Sequence, residues 1–245
     1  MKKFIIIIVV LMIGIGAGYL ISNRIGENNQ THEKTQNNTQ AQTDSNNEIT
    51  LTEEEMYKDI INDYKEVMSE YDDDNFEVLE KYDRVNSAIV LLAKHYPEAE
   101  VAYTFYDIDK NGIKELIIGI TDKTGDELNE GAIYSYNPTA KKAEINFLQD
   151  TMERGRLSIY DNGIIYSAGS GGAALHYYEF GKIGENGYNY EEIESIEEEY
   201  IQEDSEPVYR DYKTSMVLSY KGIDEIEAKY LKNSKEIKYS KVVKL

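Results

Sequence analysis

Between residues 107 and 115 the chain reads Asp-Ile-Asp-Lys-Asn-Gly-Ile-Lys-Glu. Oxygen-bearing side chains at the first, third and fifth places of a loop can converge on one hard cation. Glycine at the sixth place permits the sharp turn, and the seventh residue offers its carbonyl. Asp107, Asp109, Asn111, the carbonyl of Ile113 and, at the ninth place, Glu115 are therefore the candidate metal ligands. An all-oxygen set selects calcium or magnesium over zinc or copper, and the number of ligands around a tight glycine turn favours Ca2+ in a structural role. The twelfth place is Ile118 and not the bidentate glutamate of an EF-hand. Both flanks read as strands, so the loop is expected to join two strands. The same Asp, Asn and Gly residues also build hairpin turns without a metal, and Lys110 and Lys114 stand where they would offset part of the site's charge.

Two other stretches carry chemically capable residues. Ala168-Gly-Ser-Gly-Gly172 approaches a nucleophile elbow, but that turn needs a strand–turn–helix frame and a histidine in reach. The following residues, Ala173 to Phe180, alternate like a strand with His176 among them, and no Gly-Lys-Ser/Thr phosphate loop is present. A tight bend or close backbone approach is the simpler reading. Residues 188–206 hold eight glutamates and Asp204, a solvated acidic face by default. Combined with 22 tyrosines, the same stretch is suited to docking a basic protein or peptide, with charge supplying attraction and rings supplying contact area. No pair of carboxylates stands out as a glycosidase dyad.

The loop followed by Leu116-Ile-Ile-Gly119 is similar to the calcium-loop hairpins of FG-GAP and VCBS-type repeats, here in a single copy. Residues 106–119, with Leu157-Ser-Ile-Tyr-Asp-Asn-Gly163 and Ala168-Gly-Ser-Gly-Gly172, resemble a group of uncharacterised secreted or lipoprotein-like proteins of low-GC Gram-positive bacteria. The resemblance extends over about 50–240 and implies an extracytoplasmic setting. The chain has no Cys, so it lacks the lipidated residue of the lipoprotein members, and any attachment must be through its N-terminal helix.

The elements that must position the loop follow from periodicity. Thr52-Glu-Glu-Glu55 has capping-box spacing, and Met56, Ile60, Tyr64, Val67 and Tyr71 then recur at helical intervals. Asp72-Asp-Asp-Asn75 reads as a break. Leu79, Tyr82, Val85, Ile89 and Leu92 form a second stripe ending near Tyr96-Pro97, so 50–97 is expected to be an antiparallel helical hairpin. Beyond it, strands are expected at 101–107, 115–121, 131–136, 143–148, 157–160, 163–168, 173–181 and 187–196, then a short helix at 222–232 and a last strand around 236–244. Connections too short for βαβ crossovers make the sheet antiparallel. The predicted class is α+β: a helical hairpin packed on an antiparallel, curved or barrel-like β-meander, with a short C-terminal helix.

At the N-terminus, residues 4–21 are uncharged and follow Lys2 and Lys3. That length matches a bilayer core, and the lysines would hold their end in the cytoplasm. A signal peptide cleaved after Gly16-Ala-Gly18 is the competing reading, but the apolar run continues to Ile21, which favours an anchor over 1–25. Residues 26–49 are rich in Asn, Gln and Thr and read as a disordered tether. Residues 98–245 complete the same extracytoplasmic domain as 50–97. The chain is thus expected to be a single-pass protein of the cell membrane.

The 245 residues hold 26 basic and 46 acidic side chains, for a net charge of −20. That argues against a nucleic-acid partner, whose phosphates require clustered Lys and Arg. The leading functional expectation is an acidic, non-enzymatic binding module. A cell-envelope hydrolase using carboxylates, and an acidic inhibitor or immunity factor for a cationic protein, are the alternatives.

Overall fold

The Thr52 hydroxyl accepts the Glu55 N–H while the Glu55 carboxylate reaches back to the Thr52 N–H at 2.8 Å, so the capping box forms as spaced. It opens α1 (Glu53–Met56), and a one-residue break at Tyr57 leads into α2 (Lys58–Glu70). The computed structural model describes residues 51–72, 74–122, 124, 128–149, 154–201 and 205–245. The expected anchor and tether, at 1–25 and 26–49, lie outside the described residues. Among the described residues no helix is long and apolar enough to cross a membrane.

The second expected helix is two helices, α3 (Glu77–Lys81) and α4 (Ser87–His95). The reason is Asn86. Its Oδ1 accepts the Ala88 N–H at 2.9 Å as the cap of α4, while its Nδ2 donates to the carbonyls of Gly131 at 2.6 Å and Gln149 at 2.9 Å. Three bonds to one side chain, two of them buried, outweigh helical continuity through 82–86.

Ten strands follow: β1 (Glu100–Tyr106), β2 (Glu115–Thr121), β3 (Asn129–Asn137), β4 (Lys142–Leu148), β5 (Gly155–Ile159), β6 (Ile165–Gly172), β7 (Leu175–Ile183), β8 (Tyr190–Glu199), β9 (Val208–Asp211) and β10 (Val243–Lys244). Helix α5 (Ile223–Leu231) lies between the last two. All pairings are antiparallel. The order is β10-β1-β2-β3-β5-β6-β7-β8-β9, with β4 on the same edge of β3 that β5 meets at Glu130–Leu157.

The sheet is open, which corrects the barrel-like expectation. Closure would require the terminal strands to pair with each other. Instead β10 occupies the free edge of β1, and the far end pairs β9 with residues 216–218 through an Arg210–Val217 bridge. The expected last strand at 236–244 reduces to β10 and an isolated Tyr160–Glu236 bridge, and β9 was not expected from the sequence.

Hydrophobic clusters lie on both faces. Val101 and Tyr103 of β1, Leu116, Ile118 and Ile120 of β2 and Ala132 and Tyr134 of β3 pack with Ile60, Tyr64 and Ile89 of the helices. The intervening Ala102, Ile117 and Ile133 join Leu157, Ile159, Ile165 and Ile183. The two-residue strand period accounts for this split. A third cluster seats Ile226 of α5 on Tyr166, Phe180, Ile196 and Tyr209.

Candidate metal centre

The loop leaves β1 at Asp107 and enters β2 at Glu115, joining two strands as expected. Within it the side chains bond to the loop's own backbone. Asp107 Oδ2 accepts the Gly112 N–H at 3.0 Å, Asp109 Oδ1 the Asn111 N–H at 3.1 Å, and Asn111 Oδ1 the Ile113 N–H at 2.7 Å. Gly112 turns the chain at φ +92°, a conformation costly for any residue with a Cβ.

Glu115 is fully buried. Its Oε2 accepts the Ile108 N–H at 2.8 Å, and its Oε1 accepts the Ser135 hydroxyl at 3.2 Å. The Ser135 oxygen in turn receives a bond from Asn146 Nδ2. This chain, from β4 through β3 to β2, fixes the carboxylate's direction.

Asp107, Asp109 and Glu115 each present an oxygen, and these oxygens lie within 4.8 Å of one another. Burial pushes the Glu115 carboxyl up to about 8, with the Asp109 charge adding to the rise against the bonds from Ile108 and Ser135. Burial also raises Asp109, with the Asp107 charge contributing, and the Asn111 bonds oppose it. Asp107 Oδ1 is buried and has no hydrogen-bond partner among the described residues. An unsatisfied carboxylate oxygen beside two carboxylates under strain is the arrangement a cation would relieve.

The two lysines bond outside the three carboxylates. Lys110 Nζ donates to the Asp161 carbonyl at 2.9 Å, and Lys114 Nζ pairs with Glu53 Oε1 at 3.0 Å. Asn111 bonds within the loop, its Nδ2 donating to Asp109 Oδ2 at 2.9 Å while its oxygen accepts the Ile113 N–H. Ile113 packs its side chain against the helix-side cluster.

Residues outside the motif complete the setting. The Tyr57 hydroxyl donates to the Lys114 carbonyl at 2.8 Å, tying the break between α1 and α2 to the loop. The β7–β8 turn brings Gly187 so close that a Cβ there would lie 2.6 Å from Asn111 Nδ2. Ser135, Asn146, Tyr57 and Gly187 carry no signal that links them to residues 107–115 in a linear reading, since only the sheet brings them together.

The Ala168–Gly172 stretch forms part of the β6–β7 hairpin. Ser170, His176 and Glu198 face one another in register on β6, β7 and β8. The Ser170 hydroxyl, however, donates to the Gly172 carbonyl at 2.8 Å within its own hairpin. Glu198 accepts the hydroxyls of Tyr178, Tyr209 and Tyr200 at 2.6, 2.8 and 3.3 Å. The row is thus not a nucleophile with its base.

A cleft of about 520 Å³ is lined by Glu130, Glu236 and Arg156. Burial pushes Glu130 up to about 7. Its Oε1 already accepts the Tyr239 hydroxyl at 2.7 Å, and Glu236 is held by Arg156 at 2.6 Å and Ser158 at 2.8 Å. These bonds tie the C-terminal segment onto β3 and β5.

No protein-family model matches the chain, and no curated protein or solved structure matches it either.

Proposed function

We propose that the chain is a non-catalytic extracytoplasmic binding module, anchored in the cell membrane by its N-terminal helix and braced by one Ca2+ held at Asp107, Asp109 and Glu115. The observation that carries the metal reading is the buried, unpartnered Asp107 Oδ1 beside two further carboxylates, with both loop lysines turned elsewhere. Loop bonds already hold Asp107 Oδ2 and both oxygens of Asp109, so the loop is organised before the cation arrives. The ion would link β1 to β2 and steady the neighbouring turns. It supplies no open chemistry, because the groups around it are strand and turn residues and not a substrate cleft. The anchor rests on the uncharged run at 4–21 behind two lysines. The net charge of −20 fits a basic protein or peptide as partner.

Thermal unfolding in EDTA, then in calcium or magnesium from micromolar to millimolar concentration, tests the metal site. Extracellular calcium modules bind at roughly 10⁻⁴–10⁻³ M. At about 10 mM this is a ten- to hundredfold excess over Kd and stabilises by about 1.4–2.7 kcal/mol, which for a domain of this size raises Tm by roughly 3–10 °C. The rise should be selective for calcium and absent in Asp107→Asn and Asp109→Ala. A rise that survives both substitutions removes the site from this loop, and no rise at all reduces the loop to a turn.

A further inference from the structure

The far end of the sheet differs from the rest of the surface. After β9 the chain turns at Asp211, whose Oδ1 accepts the Thr214 N–H and hydroxyl, both at 2.7 Å. It then runs back along β9. The Asp211 N–H donates to the Met216 carbonyl and the Leu218 N–H to the Tyr209 carbonyl, at 2.9 and 2.8 Å. Those two bonds flank the Arg210–Val217 pair. In that geometry the N–H and C=O of Val217 point away from β9, and no hydrogen bond reaches either group among the described residues. Residues 216–218 therefore extend the sheet beyond β9 by one bridge, and the outward backbone groups of Val217 have no partner among the described residues.

The edge is apolar. Met216 is 64% exposed, Val217 65% and Tyr212 57%, whereas edge strands are ordinarily blunted by charge, proline or a covering element. Cross-strand register places Tyr177, Glu197, Arg210 and Val217 in one row over β7, β8, β9 and the edge. The Tyr212 ring meets that of Tyr177 edge-on at 5.6 Å. Around this apolar strip the charge is negative. The described residues of 190–220 contain eight acidic side chains and two basic ones. Both basic residues are committed, Arg210 to Glu199 at 3.7 Å and Lys213 to Glu192 at 2.9 Å.

We infer that the 216–218 edge is the docking site of the module's partner: an extended basic segment of another protein, with apolar residues alternating with Lys or Arg, that adds as a further strand. This rests on the reading of the chain as a binding module, and it names where and how that binding occurs. Backbone bonds to Val217 supply the register. Apolar side chains of the incoming strand cover Val217, and its cations, which alternation puts on the opposite face, meet Asp211 beside Met216. A second copy of this chain is the poorer occupant, since it would place one acid-rich edge against another.

The test is titration of the full chain with a short synthetic peptide of alternating lysine and valine. Controls are the same peptide with glutamate for lysine and one with prolines at alternate valines. Val217→Pro removes only an outward N–H, which edge strands tolerate, and Met216→Ser trims the apolar strip. Thermal unfolding with calcium confirms that each variant folds. The expected result is saturable binding of the basic peptide alone, weakened at least tenfold by Val217→Pro and by high salt. Binding that is unchanged in both variants, binding of the acidic peptide equal to the basic one, or no binding overturns the inference. Concentration-dependent dimerisation abolished by Val217→Pro overturns it in favour of a second copy. Because calcium-dependent Tm is read separately, failure of the docking site and failure of the metal site are distinguishable.

Discussion

Burial, more than spacing, decides what each carboxylate of this acidic chain does. Glu115, Glu130 and Glu198 are all buried, and each is stabilised differently: by backbone and serine donors, by one tyrosine, or by three. Glu130 makes the consequence measurable. Its ordinary value is 4.5, and burial lifts it to about 7 despite the Tyr239 bond, with Glu236 raising it further and Arg156 opposing. The folded chain thus holds this proton more tightly than the unfolded chain does. The stability it contributes is fully present below about pH 4.5 and is lost as pH rises through about 7. Urea unfolding in EDTA should show free energy falling over that window, and Glu130→Gln should flatten the fall by up to about one proton's worth. An equal slope in the variant would assign the dependence to other groups. At this scale the convergence of Asp107, Asp109 and Glu115 was legible because the three are neighbours in sequence. The burial of Glu115 was not, because it depends on Ser135 and Asn146 from two other strands.

Element boundaries follow local signals where these act alone and fail where a distant partner intervenes. The capping box at Thr52, the strands on either side of the loop and α5 all sit close to their expected places, since period and turn residues agree there. The stripe at Leu79, Tyr82, Val85, Ile89 and Leu92 is continuous in sequence, yet the helix breaks. Asn86 is drawn to the Gly131 and Gln149 carbonyls, and its N–H donates to the Tyr64 hydroxyl at 2.9 Å. The Tyr134 hydroxyl donates to the Arg84 carbonyl at 2.6 Å, so the 2.9 Å bond between the two tyrosines runs from Tyr64 to Tyr134. This polar knot joins α2, the α3–α4 connection and β3 in the middle of the helix-side cluster. Asn86→Ala removes the α4 cap and leaves the buried Gln149 carbonyl without a donor, while the Gly131 carbonyl keeps the Gln149 N–H at 2.8 Å. Its cost should be about 3 kcal/mol, read as a lower urea midpoint at unchanged m-value. A loss below about 1 kcal/mol would mean that water or Gln149 replaces the bonds. Strand β9 escaped notice for a related reason: four residues with two charges among them show no period until the β8 edge pairs with them.

At the scale of the molecule, the question is how a chain of net charge −20 folds with so few cations to offset it. Much of the answer lies in tyrosine. Glu66, Glu130, Glu179, Glu194, Glu198 and Glu227 each accept at least one tyrosine hydroxyl. At Glu194, burial alone would raise the carboxyl, but Tyr230, Lys229 and Tyr220 together hold it below its ordinary value. Burial and the adjacent carboxylates correspondingly push Tyr178, Tyr190 and Tyr239 above the usual phenol range. The tyrosine count, read in the sequence as material for docking, is in large part an internal supply of neutral donors. Such bonds satisfy lone pairs without cancelling charge, so long-range repulsion remains. The Debye length falls from about 30 Å at 0.01 M salt to about 8 Å at 0.15 M. Sodium chloride in EDTA should therefore raise Tm by about 3–5 °C over that range, with no dependence on Asp107 or Asp109. Calcium should add its own increment at either salt concentration, because three converging carboxylates in a partly buried loop are screened far less than surface charge. If the calcium increment vanishes at the higher salt, the ion acts as diffuse counter-charge and not as a ligand of the 107–115 loop.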